Sequence, residues 1–201
     1  MNILIIPTIR EIYKNQFEFC ADVRLINFFK KIFKNSSIEI YNLETKKNYD
    51  LIILSGGNNS IFKNSADQLR NKINNSIYRF SLKKNIAILG ICHGAHYLAK
   101  KNGFKIKKKN NHIGYHKVIF KINKIRFKKT VNSYHNETIE FKIKSNTNIF
   151  GLAEDKSIES FHIKEKKILG IMWHPERYKK IKHFDLKLIK EFYATNSIVG
   201  R

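Results

Sequence analysis

Two short stretches of the chain carry side chains able to do covalent chemistry. The first, Leu89-Gly90-Ile91-Cys92-His93-Gly94, has the form Gly-x-Cys-x-Gly and lies where an apolar run gives way to a helical pattern. Small residues on both sides of the cysteine permit the tight, strained strand-to-helix turn that holds a nucleophile exposed. The positive end of the following helix favours a thiolate, and the amide of His93 points toward the oxyanion that forms when sulfur attacks a carbonyl. The second stretch, Ile168-LGIMWHPE-Arg177, sets His174, Pro175 and Glu176 directly after another apolar run. His174 can take the thiol proton and return it to a leaving nitrogen, and Glu176 can orient the imidazole. Pro175 fixes the backbone between them so that both can point the same way. Each stretch alone also reads as structure, a buried cysteine in a glycine turn or an isolated His-Pro-Glu. Together they make Cys92, His174 and Glu176 the candidate catalytic residues.

A third stretch, Leu54-Ser55-Gly56-Gly57-Asn58-Asn59-Ser60, follows the apolar run 51–54. Its glycines free the backbone to aim an amide, that of Gly57, at the same oxyanion. Metal binding has to be weighed as well, because Cys92, His93 and His96 lie together and His112 and His116 are four apart. Cysteine and histidine at such spacings can ligate zinc. The elbow accounts for Cys92, and the other histidines lack a paired acidic residue at a diagnostic spacing, so neither a metal nor another cofactor is expected. Cys20, ahead of a helical segment, reads as a core residue, and two cysteines make no disulfide framework.

Positioning these groups requires a particular arrangement of elements. Apolar runs bounded by turn residues occur at 3–6, 38–41, 51–54, 86–91 and 168–173, and read as buried strands. Helical periodicity covers roughly 21–33, 66–82 and 93–101, and strand-helix alternation implies a parallel sheet with helices on both faces. From about 104 to 161 the texture changes to short β-like runs at 117–123, 124–130, 137–144 and 158–164, an antiparallel excursion added to the sheet. A last amphipathic helix near 181–195 completes what reads as a single α/β domain over 1–201. Ligands in such a sheet bind beyond the carboxyl ends of its strands, where all three stretches fall.

Ser-Gly-Gly, Gly-x-Cys-x-Gly and His-Pro-Glu, in this order over about 120 residues, resemble the class I glutamine amidotransferase domain along essentially the whole chain. The resemblance implies a flavodoxin-like α/β core with an open, mostly parallel sheet. It implies Cys92, His174 and Glu176 as the triad, Gly57 and His93 as backbone oxyanion donors, and attack on a γ-glutamyl carbonyl through a thioester on Cys92. It places Gly56 beside the substrate. Val131-Asn132-Ser133-Tyr134-His135 is similar to a substrate-side segment of the hydrolase branch, which implies that Ser133, Tyr134 and His135 help hold the glutamyl group. One position departs from the pattern. Four residues beyond the cysteine the family usually has a glutamine facing the substrate, and here stands His96, either a contact to a different acyl or leaving group or a surface residue.

Three functions fit these residues: a glutaminase subunit that passes ammonia to a separately encoded synthetase, a free-standing hydrolase of a γ-glutamyl amide or phosphoramidate, and a catalytically silent binding protein. The intact Cys92, His174 and Glu176 argue against the third. The segment 7–29, read as a long loop carrying Arg10 and Asp22, looks more like the stand-alone hydrolases and puts Arg10 on the substrate side. His96 points the same way, so the hydrolase is the expected function.

The formal charge of +23 is the remaining feature. Lysine outnumbers arginine 32 to 7, and the basic doublets are spread along the chain with no nucleic-acid-binding module. Background lysine on a solvated surface is the reading adopted, with no specific nucleic-acid partner and an anionic small-molecule substrate as the compatible ligand. No apolar run is long enough to span a bilayer and the first residues lack the features of a signal peptide, so no membrane partner and a cytoplasmic location are expected.

Overall fold

In the first half of the chain, strands form at the apolar runs 3–6, 38–41, 51–54 and 86–91, and helices at the three segments of helical periodicity. The computed structural model describes residues 1–44, 48–57, 64–109, 112–140 and 147–196. In chain order the elements are β1 (Asn2–Ile6), β2 (Thr8–Tyr13), β3 (Gln16–Cys20), α1 (Val23–Ile32), β4 (Ser37–Ile40), β5 (Leu51–Leu54), α2 (Ser65–Lys84), β6 (Ala87–Ile91) and α3 (His93–Lys101). There follow β7 (Lys105–Lys108), β8 (Ile113–Ile122), β9 (Ile125–Tyr134), β10 (Glu137–Glu140), β11 (Asn148–Ala153), β12 (Ile158–Ile163), β13 (Ile168–Ile171) and α4 (His183–Thr195). The main sheet runs β4-β1-β5-β6-β13-β12-β11-β8-β9. Its first five strands are mutually parallel, in the flavodoxin-like order, and those after β13 pair antiparallel. β10 bridges β12 and β7 beside this path.

The strand period of two splits the core between the two faces of the sheet. Ile3, Ile5, Leu51, Ile53, Leu89 and Ile91 face α1 and α4, which contribute Leu25, Phe28, Phe29, Ile32, Leu188, Ile189 and Phe192. Leu4, Ile6, Ile52, Leu54 and Ile88 face α2 and α3. The spacing of Leu25, Phe28, Phe29 and Ile32 is one stripe of a helix, and full burial of each such side chain stabilises by roughly 1.5–3 kcal/mol. Asp22 starts α1 by accepting from the amide of Arg24 at 2.9 Å.

The segment after β1 differs from expectation. Instead of a long loop, residues 8–20 form the antiparallel hairpin β2–β3, outside the main sheet. Gln16-Phe-Glu-Phe-Cys20 alternates polar and apolar, β2 pairs with it through a register shift between Glu11 and Tyr13, and Asn15 supplies the left-handed turn residue at φ 64°. β7 and β11 were likewise not anticipated. The run expected over 137–144 is strand as far as Glu140; its remainder lies outside the described residues. Among the described residues no helix is long and apolar enough to cross a membrane.

Candidate active site

β5, β6 and β13 are neighbours in the sheet, so their carboxyl ends bring Ser55–Gly57, Cys92 and His174 to one edge. Cys92 sits between β6 and α3 at φ 50°, ψ −103°, a conformation L-residues adopt only when surroundings impose it. The surroundings here are backbone contacts. A Cβ on Gly90 would lie 2.5 Å from the carbonyl carbon of Gly94, and one on Gly94 would lie 2.1 Å from the carbonyl oxygen of Leu54. The Cys92 amide donates to the Ile171 carbonyl at 2.8 Å, tying the elbow to β13.

His174 is buried at 1% exposure and held on every side. Its Nδ1 donates to Oε1 of Glu176 at 2.6 Å, and the ring hydrogen-bonds the Cys92 side chain. With Nδ1 committed to a carboxylate that can only accept, Nε2 is the nitrogen able to exchange a proton. Burial by itself would lower the pKa of this imidazole; the bonds to Cys92 and Glu176 outweigh it and raise the pKa to about 9. Asn132 clamps the His174 backbone, its Nδ2 donating to the carbonyl and its Oδ1 accepting from the amide, both at 2.8 Å. Gly56 lies so close that a Cβ there would come within 2.4 Å of the His174 Cε1. Tyr134 packs edge-on against the imidazole at 5.4 Å, and the Arg177 guanidinium covers Tyr134 at 4.5 Å.

The Ser55–Gly57 loop has an anchor that the sequence does not announce. Arg70 of α2, wholly buried, donates to the carbonyls of Ser55 at 2.6 Å, Gly56 at 3.3 Å and Gly57 at 2.6 Å. Burial pulls its pKa down, opposed by the charges of Cys92 and Asp67. Gly57 has φ +82°, the left-handed conformation that glycine adopts without strain. Asn58, Asn59 and Ser60, the rest of this loop, lie outside the described residues.

The other sequence-derived residues fall in different places. His93, the residue after Cys92, is buried and begins α3. His96 is not a surface residue: it is 3% exposed, its Nε2 meets the Glu137 carbonyl at 3.0 Å, and burial followed by the neighbouring His135 pushes its pKa down to about 3. It lines a cavity with His93, Tyr97 and Lys100. Ser133 is fully buried with its hydroxyl donating to the His112 carbonyl, and His135 is buried with Nδ1 on the Glu137 carbonyl at 2.8 Å. Tyr134 alone of that segment is exposed beside His174. Arg10 of β2 lines a cleft of about 390 Å³ with Gly56, Gly57, His174, Glu176 and two further arginines, Arg24 and Arg177. His112 and His116 do have an acidic partner, Glu159, which reaches them from β12; sequence spacing could not reveal it because the contact is made across the sheet.

An elbow cysteine bonded to a His-x-Glu pair at the carboxyl edge of a flavodoxin-like sheet is the architecture of the glutamine amidotransferases, and the model of the Glutamine amidotransferase class-I family matches residues 15–195. The chain belongs to that family. It is 34% identical over 174 residues to the γ-glutamyl-CDP-amidate hydrolase of Campylobacter jejuni subsp. jejuni serotype O:2, covering 83% of this chain and 84% of the relative. It is 28% identical over 148 residues to the glutamine-hydrolysing GMP synthase of Petrotoga mobilis, covering 70% of this chain and 27% of that longer protein. Among solved structures, a GMP synthase subunit from Thermoplasma acidophilum superimposes with TM-score 0.71 at 18% identity, over 96% of this chain and 92% of the other. A glutamine amidotransferase from Thermotoga maritima follows with TM-score 0.66 at 20% identity, over 87% and 76%. These two likenesses bear on the fold.

Proposed function

We propose that the chain is a stand-alone cysteine hydrolase that converts γ-glutamyl-CDP-amidate and water to glutamate and cytidine diphosphoramidate, a product used in capsular polysaccharide modification. The observation that carries this reading is the cleft in which Gly56, Gly57, His174 and Glu176 meet Arg10, Arg24 and Arg177. A leaving group bearing a diphosphate suits three guanidinium groups, whereas ammonia leaving from glutamine would have no use for them. The relative in Campylobacter jejuni, similar over most of both chains, supports the same substrate.

In the mechanism proposed, the Cys92 thiolate attacks the γ-carbonyl carbon, and the charge that develops on oxygen is met by the amides of Gly57 and His93. The C–N bond then breaks and the leaving nitrogen takes the proton from Nε2 of His174. A water molecule, deprotonated by the same nitrogen, attacks the thioester and releases glutamate, returning Cys92 to its starting state. Glu176 and Asn132 hold the imidazole in line, and Arg70 holds the loop that carries Gly57. The site operates in the cytoplasm, on an anionic small molecule.

The test is turnover of glutamine, γ-glutamyl-GABA and γ-glutamyl-CDP-amidate by the purified chain alone, with Cys92→Ala as control. The expected result is selective hydrolysis of the nucleotide conjugate and none by Cys92→Ala. Glutaminase activity that appears only on adding a synthetase would replace this reading with that of an ammonia-delivering subunit. An active Cys92→Ala protein would overturn the mechanism.

A further inference from the structure

Away from Cys92 and His174, three histidines converge on one buried carboxylate. Glu159 of β12 is fully buried, and among the described residues neither of its oxygens makes a well-formed hydrogen bond. Its Oε1 lies 3.3 Å from Nδ1 of His112, 3.4 Å from Nε2 of His116 and 3.9 Å from Nε2 of His135. A β-bulge aims it there. Ser160 pairs with Gly151 and Ile158 with Leu152, so Glu159 is the extra residue between them, and bulges redirect side chains in this way. We propose that His112, His116, His135 and Glu159 bind a divalent transition metal, zinc by the character of the ligand set.

Three features of the cluster support the assignment. The first is spacing. Tetrahedral ligand atoms about 2.0–2.2 Å from zinc lie about 3.3–3.6 Å from one another, which matches the His112 and His116 contacts; the ligand atoms of His112, His135 and Glu159 all lie within 4.8 Å of one another. The second is the outer partners. Nε2 of His112 meets Oδ2 of Asp155 at 3.0 Å, and Nδ1 of His135 meets the Glu137 carbonyl at 2.8 Å. Both partners accept hydrogen bonds, so each holds a proton on the outer nitrogen and turns the inner lone pair toward Glu159, as second-shell carboxylates and carbonyls do around metal-bound histidine. The third is compensation of charge. With the outer nitrogens of His112 and His135 protonated, two inner lone pairs face the buried Glu159 carboxylate, and one bound cation satisfies all three. His112, His135 and Glu159 form the compact ligand set, and His116, 3.4 Å from Glu159 Oε1, stands at the fourth position.

Such a site would join the start of β8 and the end of β9 to β12, which pairs with β13, the strand leading to His174. Asn132, the clamp on the His174 backbone, lies three residues before His135. The metal would therefore fix the strand that holds the proposed general base, whatever substrate that base serves.

The experiment uses the full chain, stripped with a chelator and titrated with Co²⁺, followed by displacement with Zn²⁺. The expected result is one Co²⁺ per chain with the intense visible bands of tetrahedral nitrogen and oxygen ligation, lost when zinc is added. Asp155→Asn, at a partly exposed position outside the cluster, should weaken affinity about 10–100-fold. Glu159→Gln should abolish saturable binding; should that variant fail to fold, the wild-type spectrum and Asp155→Asn decide. Lack of a saturable visible band, a sulfur-to-cobalt charge-transfer band marking Cys92 or Cys20 as ligand, or unchanged affinity in Asp155→Asn would overturn the proposal.

Discussion

His174 keeps its proton up to about pH 9, and that single property governs how the proposed chemistry depends on pH. The folded pKa lies above the ordinary value of about 6.5, so the contacts of the imidazolium stabilise the fold fully below that value, and the contribution is lost as pH rises through about 9. Turnover follows the same group. In the proposed mechanism the imidazolium protonates the leaving nitrogen, so kcat/KM should fall as pH passes about 9. Glu176→Gln removes the anion bonded to Nδ1 and so lowers this pKa. The alkaline limb of the pH–rate profile should then move toward neutral pH, while His174→Ala should lose about 10²–10⁴ in rate. A Glu176→Gln profile with its alkaline limb unmoved would show that Glu176 does not tune the base. Cys92, His174 and Glu176 were legible in the sequence because each sits in a local motif whose neighbours announce it. Arg70 and Asn132 were not, because their roles are created by tertiary contact: Arg70 is one polar residue among many in α2 until the fold buries it beneath three carbonyls.

At the scale of elements, the elbow depends on how closely α3 approaches β5. The contact is glycine against backbone, and the Leu54 carbonyl has no rotamer by which to yield. Gly94→Ala should therefore push α3 away from β5 and lower stability by about 1–3 kcal/mol, as overpacking does. It should also separate Cys92 from the Gly57 loop, so that kcat falls by more than the loss of stability explains. Thermal denaturation together with kcat on folded protein checks this; a destabilised variant with normal kcat would show that the elbow keeps its shape without the close approach. The parallel strands and the four helices were readable because buried runs and 3.6-residue periods are strong signals over such lengths. The hairpin β2–β3 was not, because only β3 alternates polar and apolar residues and a single pair of partly exposed strands has no core to make its pattern emphatic. β11 and the bulge at Glu159 lie in the irregular part of the sheet, where pairing is decided by neighbours distant in sequence.

For the molecule as a whole, the question is whether a charge of +23 does anything at the site. Most of it is lysine dispersed over the surface, where charges more than about 8–10 Å apart are largely screened at physiological salt. Arginine is distributed differently: three of only seven line the cleft beside His174. Arg24 is partly engaged by Asp22 at 2.9 Å, and Arg177 stacks on Tyr134, so the cleft is organised as well as basic. A field concentrated in a cleft raises the encounter rate of an oppositely charged ligand, and that increase is lost as salt rises. The two parts of the charge therefore make different predictions. If the arginine cleft recognises a diphosphate, kcat/KM for γ-glutamyl-CDP-amidate should drop steeply with added NaCl, while kcat/KM for γ-glutamyl-GABA changes little. Arg10→Ala and Arg177→Ala should then raise KM for the nucleotide substrate and flatten its salt dependence without altering that of the amide. Equal salt dependence for the two substrates, or arginine variants that leave the slope unchanged, would assign the whole of the +23 to background lysine and move recognition of the leaving group elsewhere on the protein.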